Sequence, residues 1–307
     1  IRKNLMGKRV EYMIRSVITG DSKLKINEVG VPLIHAKNLE IPEVVTELNK
    51  SRLMQYFINA DKHYPGCKHI IKASDNGTYK IDIIKNNNYQ LSIGDVIMRD
   101  LITGDYLEFN RQPSLLFSNI AGMRVVVMET GETLRINPAV CVFFNADFDG
   151  DQMNSIIPQN IQSRNECMMI SKASKWFISP QKHAPSIGAF FDALIGLAEI
   201  TKDGVLFNKW HAMQLFADID AKYIKMAFKS KSITNREVVS ALLPEINLSG
   251  KSPSIYNDKY VNFIKYNPVD IHINIERGVL KSGILDKATV GQEVAGSIFH
   301  IIALEYG

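Results

Sequence analysis

The sequence predicts an α+β, β-rich protein in two parts, a β-rich part over residues 1–160 and a mixed α/β part over 161–307. Three observations lead there. Between residues 64 and 145, short runs of Val, Ile, Tyr and Phe recur between turn residues, as in a barrel or sandwich. Beyond residue 160 the apolar residues take helical spacing, as in "SIGAFFDALIGLAEI" and "FNKWHAMQLFADI". The 307 residues are 46% apolar and 22% charged, enough for one large or two ordinary cores.

The elements follow in order. "RVEYMIRSVITG" and "KLKINEVGVP" read as strands broken by Gly and Pro turns. A helical insertion is expected over about residues 42–60, with Pro42 opening a first helical piece and Ser51 capping a second. "HIIKA", "YKIDII", "YQLSIGDVIM", "LEFN", "MRVVVMET" and "ETLRIN" then read as strands. Farther on, "SITNREVVSALL" carries a Thr234-to-Glu237 capping box and stops at Pro244.

The net charge of +4 tolerates a polyanionic partner without requiring one. Cys67, Cys141 and Cys167 share no short spacing and read as reduced thiols, not as a disulfide framework or zinc site. No apolar run is long enough to predict a bilayer span. The chain opens at Ile1 inside a basic segment, and the expectation is an internal piece of a longer polypeptide.

The densest chemistry lies in "NADFDGDQM", Asn145 to Met153. Asp147, Asp149 and Asp151 alternate, with no basic residue among them. On an extended strand the outer two would sit about 13 Å apart. A Mg²⁺ ion holds its oxygens at about 2.0–2.1 Å, so the backbone must curl, and Gly150 permits that. A divalent cation would relieve the repulsion among the carboxylates. The plainer reading is a solvated acidic loop, but "VCVFF" before it and "SII" after it read as buried strands. An EF-hand loop starting at Asn145 would need its bidentate glutamate where Ile156 stands. Carboxylate-held Mg²⁺ serves phosphate chemistry, and the Asn145 amide can hydrogen-bond a sugar hydroxyl. Arg111 in "NRQP" suits a phosphate or hydroxyl fork, or else a structural ion pair. Arg2, Lys3, Lys8, Arg9 and Arg15 crowd the first fifteen residues against Glu11 alone, either a solvated face or a clamp on a nucleic-acid backbone.

"NADFDGDQM" resembles the acidic signature of the largest subunit of multisubunit DNA-directed RNA polymerases. "RKNLMGKRVEYMIRSVITGDSKLKINEVGVP", "FNRQPSL", "WFISPQKHAPSIGAFFDALIGLAEIT" and "GVLKSGILDKATVG" are similar to further family stretches in the same order. The resemblance implies a double-psi β-barrel over the first part and the pore region over the second. It implies that Asp147, Asp149 and Asp151 hold the permanent Mg²⁺, with a second Mg²⁺ arriving with the NTP. It assigns Arg111 and Asn145 to the ribose hydroxyls of the nucleotide and Pro113 to the shape of that loop. Arg2, Lys8, Arg9 and Arg15 match positions that hold template DNA. The implied partners are the second-largest subunit, other polymerase subunits, template DNA, RNA transcript and NTP, with no membrane. The family's zinc-bearing clamp, bridge helix and trigger loop fall outside this stretch.

Two departures stand out. Leu116-Phe117 follows "RQPSL" where many members have His-Lys, and Gln152 stands where cellular members usually have Glu. This wording is more like members from large DNA viruses, which implies a host-cytoplasm viral factory and virion; a cellular member would be nuclear. Two rivals remain at this level: a nucleic-acid-binding relative that lost its chemistry, and a Ca²⁺-binding structural domain.

Overall fold

Strand β1 (Met13–Gly20) is the seam of a closed barrel. Its first half pairs antiparallel with β10 (Gln152–Ile156), Met13 to Val17 against Ile156 to Gln152. Its last residues, Ile18 to Gly20, pair parallel with Leu134 to Ile136 of β9. The computed structural model describes residues 3, 5–74, 77–83, 89–189, 192–217, 232–251 and 268–306. They form two compact units, Ile1–Trp176 and Phe177–Gly307.

In the first unit β2 (Glu28–Pro32), β7 (Tyr106–Asn110), β8 (Ile120–Met128) and β9 (Leu134–Ile136) complete the barrel in the order β1-β10-β7-β8-β2-β9. The β1–β9 and β2–β8 contacts are parallel and the other four antiparallel. Exchanging β1 with β8, β2 with β9 and β7 with β10 leaves the set of pairings unchanged: β1–β10 swaps with β7–β8, β1–β9 swaps with β2–β8, and β7–β10 and β2–β9 return to themselves. The expected β-rich, α+β architecture is therefore found, with the barrel closed so that none of its strands is an edge.

Alternation along the strands fills the interior. Leu107, Phe109, Met123, Val125, Leu134, Ile136 and Met153 are fully buried, each contributing about 1.5–3 kcal/mol of transfer free energy. Phe144 meets the Phe109 ring edge-on at 5.4 Å and the Phe143 ring at 5.0 Å. The helix over Ile161–Met169 packs outside β7 and β8. Its approach requires Gly122, because a Cβ there would lie 2.1 Å from the Cys167 carbonyl oxygen.

Between β2 and β7 the chain leaves the barrel and builds a four-stranded sheet. It comprises β3 (Glu40–Val44), β4 (Cys67–Ser74), β5 (Gly77–Asp82) and β6 (Val96–Asp100), in the order β3-β6-β4-β5. The helix over Lys50–Asn59 covers it, with Leu53 buried against Cys67, Ile70 and Ile97. Two local readings are corrected here. Pro42 opens no helix; it lies in β3 opposite Met98, and β3 is an edge, where a missing N–H is tolerated. Ser51 is not the cap; Asn49 is, and its Oδ1 accepts from the Thr46 N–H at 2.7 Å.

The second unit is described by itself. Strands Leu248–Lys251, His272–Glu276 and Val279–Ser282 form an antiparallel sheet. The helix Asn235–Ser240 packs on it through Val239. The capping box expected at its start is present, Thr234 and Glu237 satisfying each other's backbone N–H groups. The helices Asp192–Thr201 and Lys209–Leu215 fall within runs expected to be helical.

Candidate metal centre

The aspartate loop leaves β9 through a turn and enters β10. Asn137 starts it by accepting from the Ala139 N–H at 2.9 Å, and Pro138 opens a single 3₁₀ turn. "VCVFF" is therefore not a strand. Cys141, Phe143 and Phe144 are buried all the same, with Phe144 packed edge-on against Phe109 of β7. Asn145 then takes φ +49° and Gly150 φ +122°. These left-handed conformations, which Asn tolerates and Gly favours, curl the chain as the motif requires.

The curl brings one carboxylate oxygen from each of Asp147, Asp149 and Asp151 within 4.8 Å of the others. An octahedral shell at about 2.1 Å spaces its oxygens about 3–4.2 Å apart. Asp147 and Asp149 are exposed and free to contract by that margin. Three hard oxygen donors and no nitrogen or sulfur ligand fit Mg²⁺.

A basic residue does reach this cluster, from 40 positions away in sequence. Arg111 follows β7, and the β7–β10 pairing sets Asn110 opposite Asn154, so the chain after β7 returns toward the start of β10. Arg111 donates from Nε to Asp151 Oδ2 at 2.8 Å and from Nη2 to Oδ1 at 3.1 Å. The Asp147 N–H also donates to Asp151 Oδ2, at 3.1 Å. Of the two readings open for Arg111, the ion pair is the one the structure contains.

The electrostatics divide the trio. Asp151 is held below the usual carboxylate range, first by the Arg111 hydrogen bond. Asp149 is pushed above it, first by a shared hydrogen bond with Asp147 and then by that neighbour's charge. Arg111 thus favours the charged form of Asp151, while Asp147 disfavours that of Asp149.

The other expected site residues fall as follows. Pro113 is exposed beside Arg111, in a loop pinned by Ser114, whose hydroxyl donates to the Arg111 carbonyl at 3.1 Å. Asn145 is exposed at the turn just before the aspartates. Arg15 on β1 donates from Nε to Gln152 Oε1 at 3.0 Å, next to Asp151. Lys8 and Arg9 are exposed ahead of β1, and Arg2 lies outside the described residues. Arg15 and Gln152 are partners that sequence alone did not join; the signal was the β1–β10 register, visible only once the barrel closes.

Residues 7–173 match the family described as RNA polymerase Rpb1, domain 2, and residues 176–307 match RNA polymerase Rpb1, domain 3. The chain belongs to the RNA polymerase Rpb1 family. Among its relatives, the DNA-directed RNA polymerase RPB1 homolog of African swine fever virus (strain Badajoz 1971 Vero-adapted) is 37% identical over all of this chain. The DNA-directed RNA polymerase subunit 1 of Acanthamoeba polyphaga mimivirus is 36% identical. The DNA-directed RNA polymerase II subunit RPB1-B of Trypanosoma brucei brucei is 35% identical. This Rpb1 segment spans 22%, 20% and 17% of those proteins, and the closed barrel of its first unit is consistent with the double-psi form that the resemblance implied.

Proposed function

We propose that this segment holds the catalytic Mg²⁺ of a multisubunit DNA-directed RNA polymerase, a nucleotidyltransferase. The observation that carries the reading is the convergence of the Asp147, Asp149 and Asp151 oxygens within 4.8 Å, in the stretch that matches Rpb1 domain 2. In the reaction the RNA 3′ hydroxyl attacks the α-phosphorus of an NTP, and pyrophosphate leaves. Bound Mg²⁺, with a second ion brought by the NTP, lowers the pKa of the attacking hydroxyl and steadies charge on the phosphoryl oxygens.

The chain's own residues do the positioning. Arg111 fixes Asp151 in one orientation through Nε and Nη2, which leaves its Nη1 donors for a ribose hydroxyl. Asn145 offers an exposed amide to the same sugar, and together they favour ribonucleotide over deoxyribonucleotide. Pro113 shapes the loop that carries Arg111. Lys8, Arg9 and Arg15, with Arg2, hold template phosphates through salt-dependent contacts that read no sequence. Under this reading Asp147, Asp149 and Asp151 are the metal ligands, and residues 161–307 belong to the pore region.

The partners under this reading are the second-largest subunit, other polymerase subunits, template DNA, RNA and NTP. The place of action is intracellular, a viral factory and virion for a viral polymerase, a nucleus for a cellular one. Among the described residues no helix is long and apolar enough to cross a membrane. These 307 residues alone are expected to make no RNA. The deciding experiment is primer extension by the assembled enzyme, wild type against Asp149→Ala, across Mg²⁺ concentrations. The reading requires a variant that binds template and extends nothing; normal extension would overturn it.

A further inference from the structure

A second cavity, of about 380 Å³, lies in the first unit and shares no lining residue with the aspartate loop. Three arginines from three elements line it: Arg52 from the helix over the inserted sheet, Arg99 from β6, and Arg164 from the helix against β7 and β8. Two carboxylates line it as well, Glu43 and Asp105.

Both carboxylates are already engaged. Asp105 takes two bonds from Arg99, Nη2 to Oδ1 at 2.7 Å and Nη1 to Oδ2 at 2.8 Å, and one from the Ile102 N–H at 2.9 Å. Glu43 accepts from Arg99 Nε at 2.7 Å and also pairs with Arg52. Arg164 is left over. Among the described residues no carboxylate forms an ion pair with it. It is partly buried, and burial holds its guanidinium below its ordinary range; the charges of Asp105 and Glu43 oppose that shift without direct contact, and Arg99 adds to it. Three cations against two anions leave the cavity one positive charge in excess. A half-buried guanidinium with no carboxylate in direct contact is costly, and its planar fork suits an oxyanion.

The remaining lining supplies donors. The Thr103 hydroxyl oxygen accepts from the Val127 N–H at 2.9 Å, which leaves its own hydrogen to donate. Asn165 presents an exposed amide beside Arg164. Guanidinium, hydroxyl and amide donors around one opening match the several acceptor oxygens of a tetrahedral anion better than the two of a carboxylate.

We propose that this cavity binds a phosphate-type oxyanion, as a second anion site apart from the metal loop. The test is equilibrium dialysis of labelled inorganic phosphate against the assembled complex, free of nucleic acid and NTP and without added Mg²⁺. Wild type is compared with Arg164→Gln, Arg164→Lys, Asp149→Ala and Lys182→Gln. The last removes an equal charge from an exposed pair with Glu293 in the second unit.

The expected result is one saturable phosphate site lost in Arg164→Gln, weakened roughly tenfold or more, and partly kept in Arg164→Lys. Asp149→Ala and Lys182→Gln should bind as wild type does. An unchanged melting temperature without phosphate shows that the glutamine variant folds; if it does not, the lysine variant carries the comparison. Equal binding by wild type and both Arg164 variants overturns the proposal. So does the absence of saturable binding by wild type at millimolar phosphate, which would assign Arg164 to an acidic side chain of another subunit.

Discussion

Arg111 grips Asp151 through two nitrogens of one guanidinium plane, at 2.8 and 3.1 Å. That single pair joins the loop after β7 to the aspartate loop before β10. Lysine offers one point charge where arginine offers a fork. Arg111→Lys is therefore expected to slow primer extension by roughly 10–100-fold, the loss of about 1.5–3 kcal/mol of charge-assisted bonding. Single-turnover extension checks it, and an unchanged rate would mean that the fork is dispensable.

The Asp149 carboxyl sits above the ordinary carboxylate range because of Asp147, so under the proposed function its proton would compete with Mg²⁺. A group raised in the folded state favours folding below its unfolded pKa, and that advantage fades as pH rises through the folded value. Mg²⁺ should reverse the loss, because it needs the proton gone. The rise in melting temperature on adding Mg²⁺ is expected to be larger at about pH 7.5 than at about pH 4.5. Thermal unfolding at both pH values checks it; an equal rise would place Mg²⁺ elsewhere.

Asp100, buried in the inserted sheet, has its carboxyl pushed up to about 6, chiefly by burial. Its Oδ2 accepts from the Gly66 N–H at 3.0 Å, while Oδ1 has no partner. Here too the folded value exceeds the unfolded one, so the group favours folding below about pH 4 and ceases to as pH rises through about 6. Asp100→Asn keeps an acceptor for Gly66 and removes the buried charge. It is expected to raise stability by roughly 1–2 kcal/mol at pH 8 and by about half as much at pH 5. Urea unfolding at the two pH values reads the difference.

Gly122→Ala tests the packing behind the site. The new Cβ would meet the Cys167 carbonyl at 2.1 Å, and the Gly122 N–H donates to the Ser171 oxygen at 2.7 Å. Neither backbone can yield without separating the Ile161–Met169 helix from β8. A loss of about 2 kcal/mol or more is expected, read as a lower urea midpoint. A wild-type midpoint would show that the helix can shift freely.

Much of this architecture is legible in the sequence. The strands before residue 160 carry period-2 alternation and turn residues, and their burial follows from that pattern. The aspartate spacing called for a curl, and Asn145 and Gly150 supply it. What escaped was set by partners distant in sequence. Arg111 meets Asp151 only because β7 and β10 are neighbours in a barrel whose closure no local pattern encodes. Pro42 reads as a helix opener by itself, yet pairing with β6 holds it extended on an edge. "VCVFF" has strand composition, but Asn137 and Pro138 turn the chain first, and Phe144 is then buried against Phe109 of β7.

The exchange that leaves the set of barrel pairings unchanged divides the barrel into two three-strand copies, β1-β2-β7 and β8-β9-β10. In each copy the chain makes its excursion between the second and third strands. In one copy that excursion runs from Leu33 to Asp105 and grows a sheet of its own. In the other it runs from Asn137 to Asp151 and stays short enough to curl its carboxylates together. The inserted sheet and the metal loop are thus counterparts, the same gap in a doubled frame put to different uses. In both copies the strands on either side of the gap are held apart by one strand of the other copy, β8 between β2 and β7 and β1 between β9 and β10. The barrel strands that flank the aspartate loop are thus fixed by pairings that do not involve the inserted sheet.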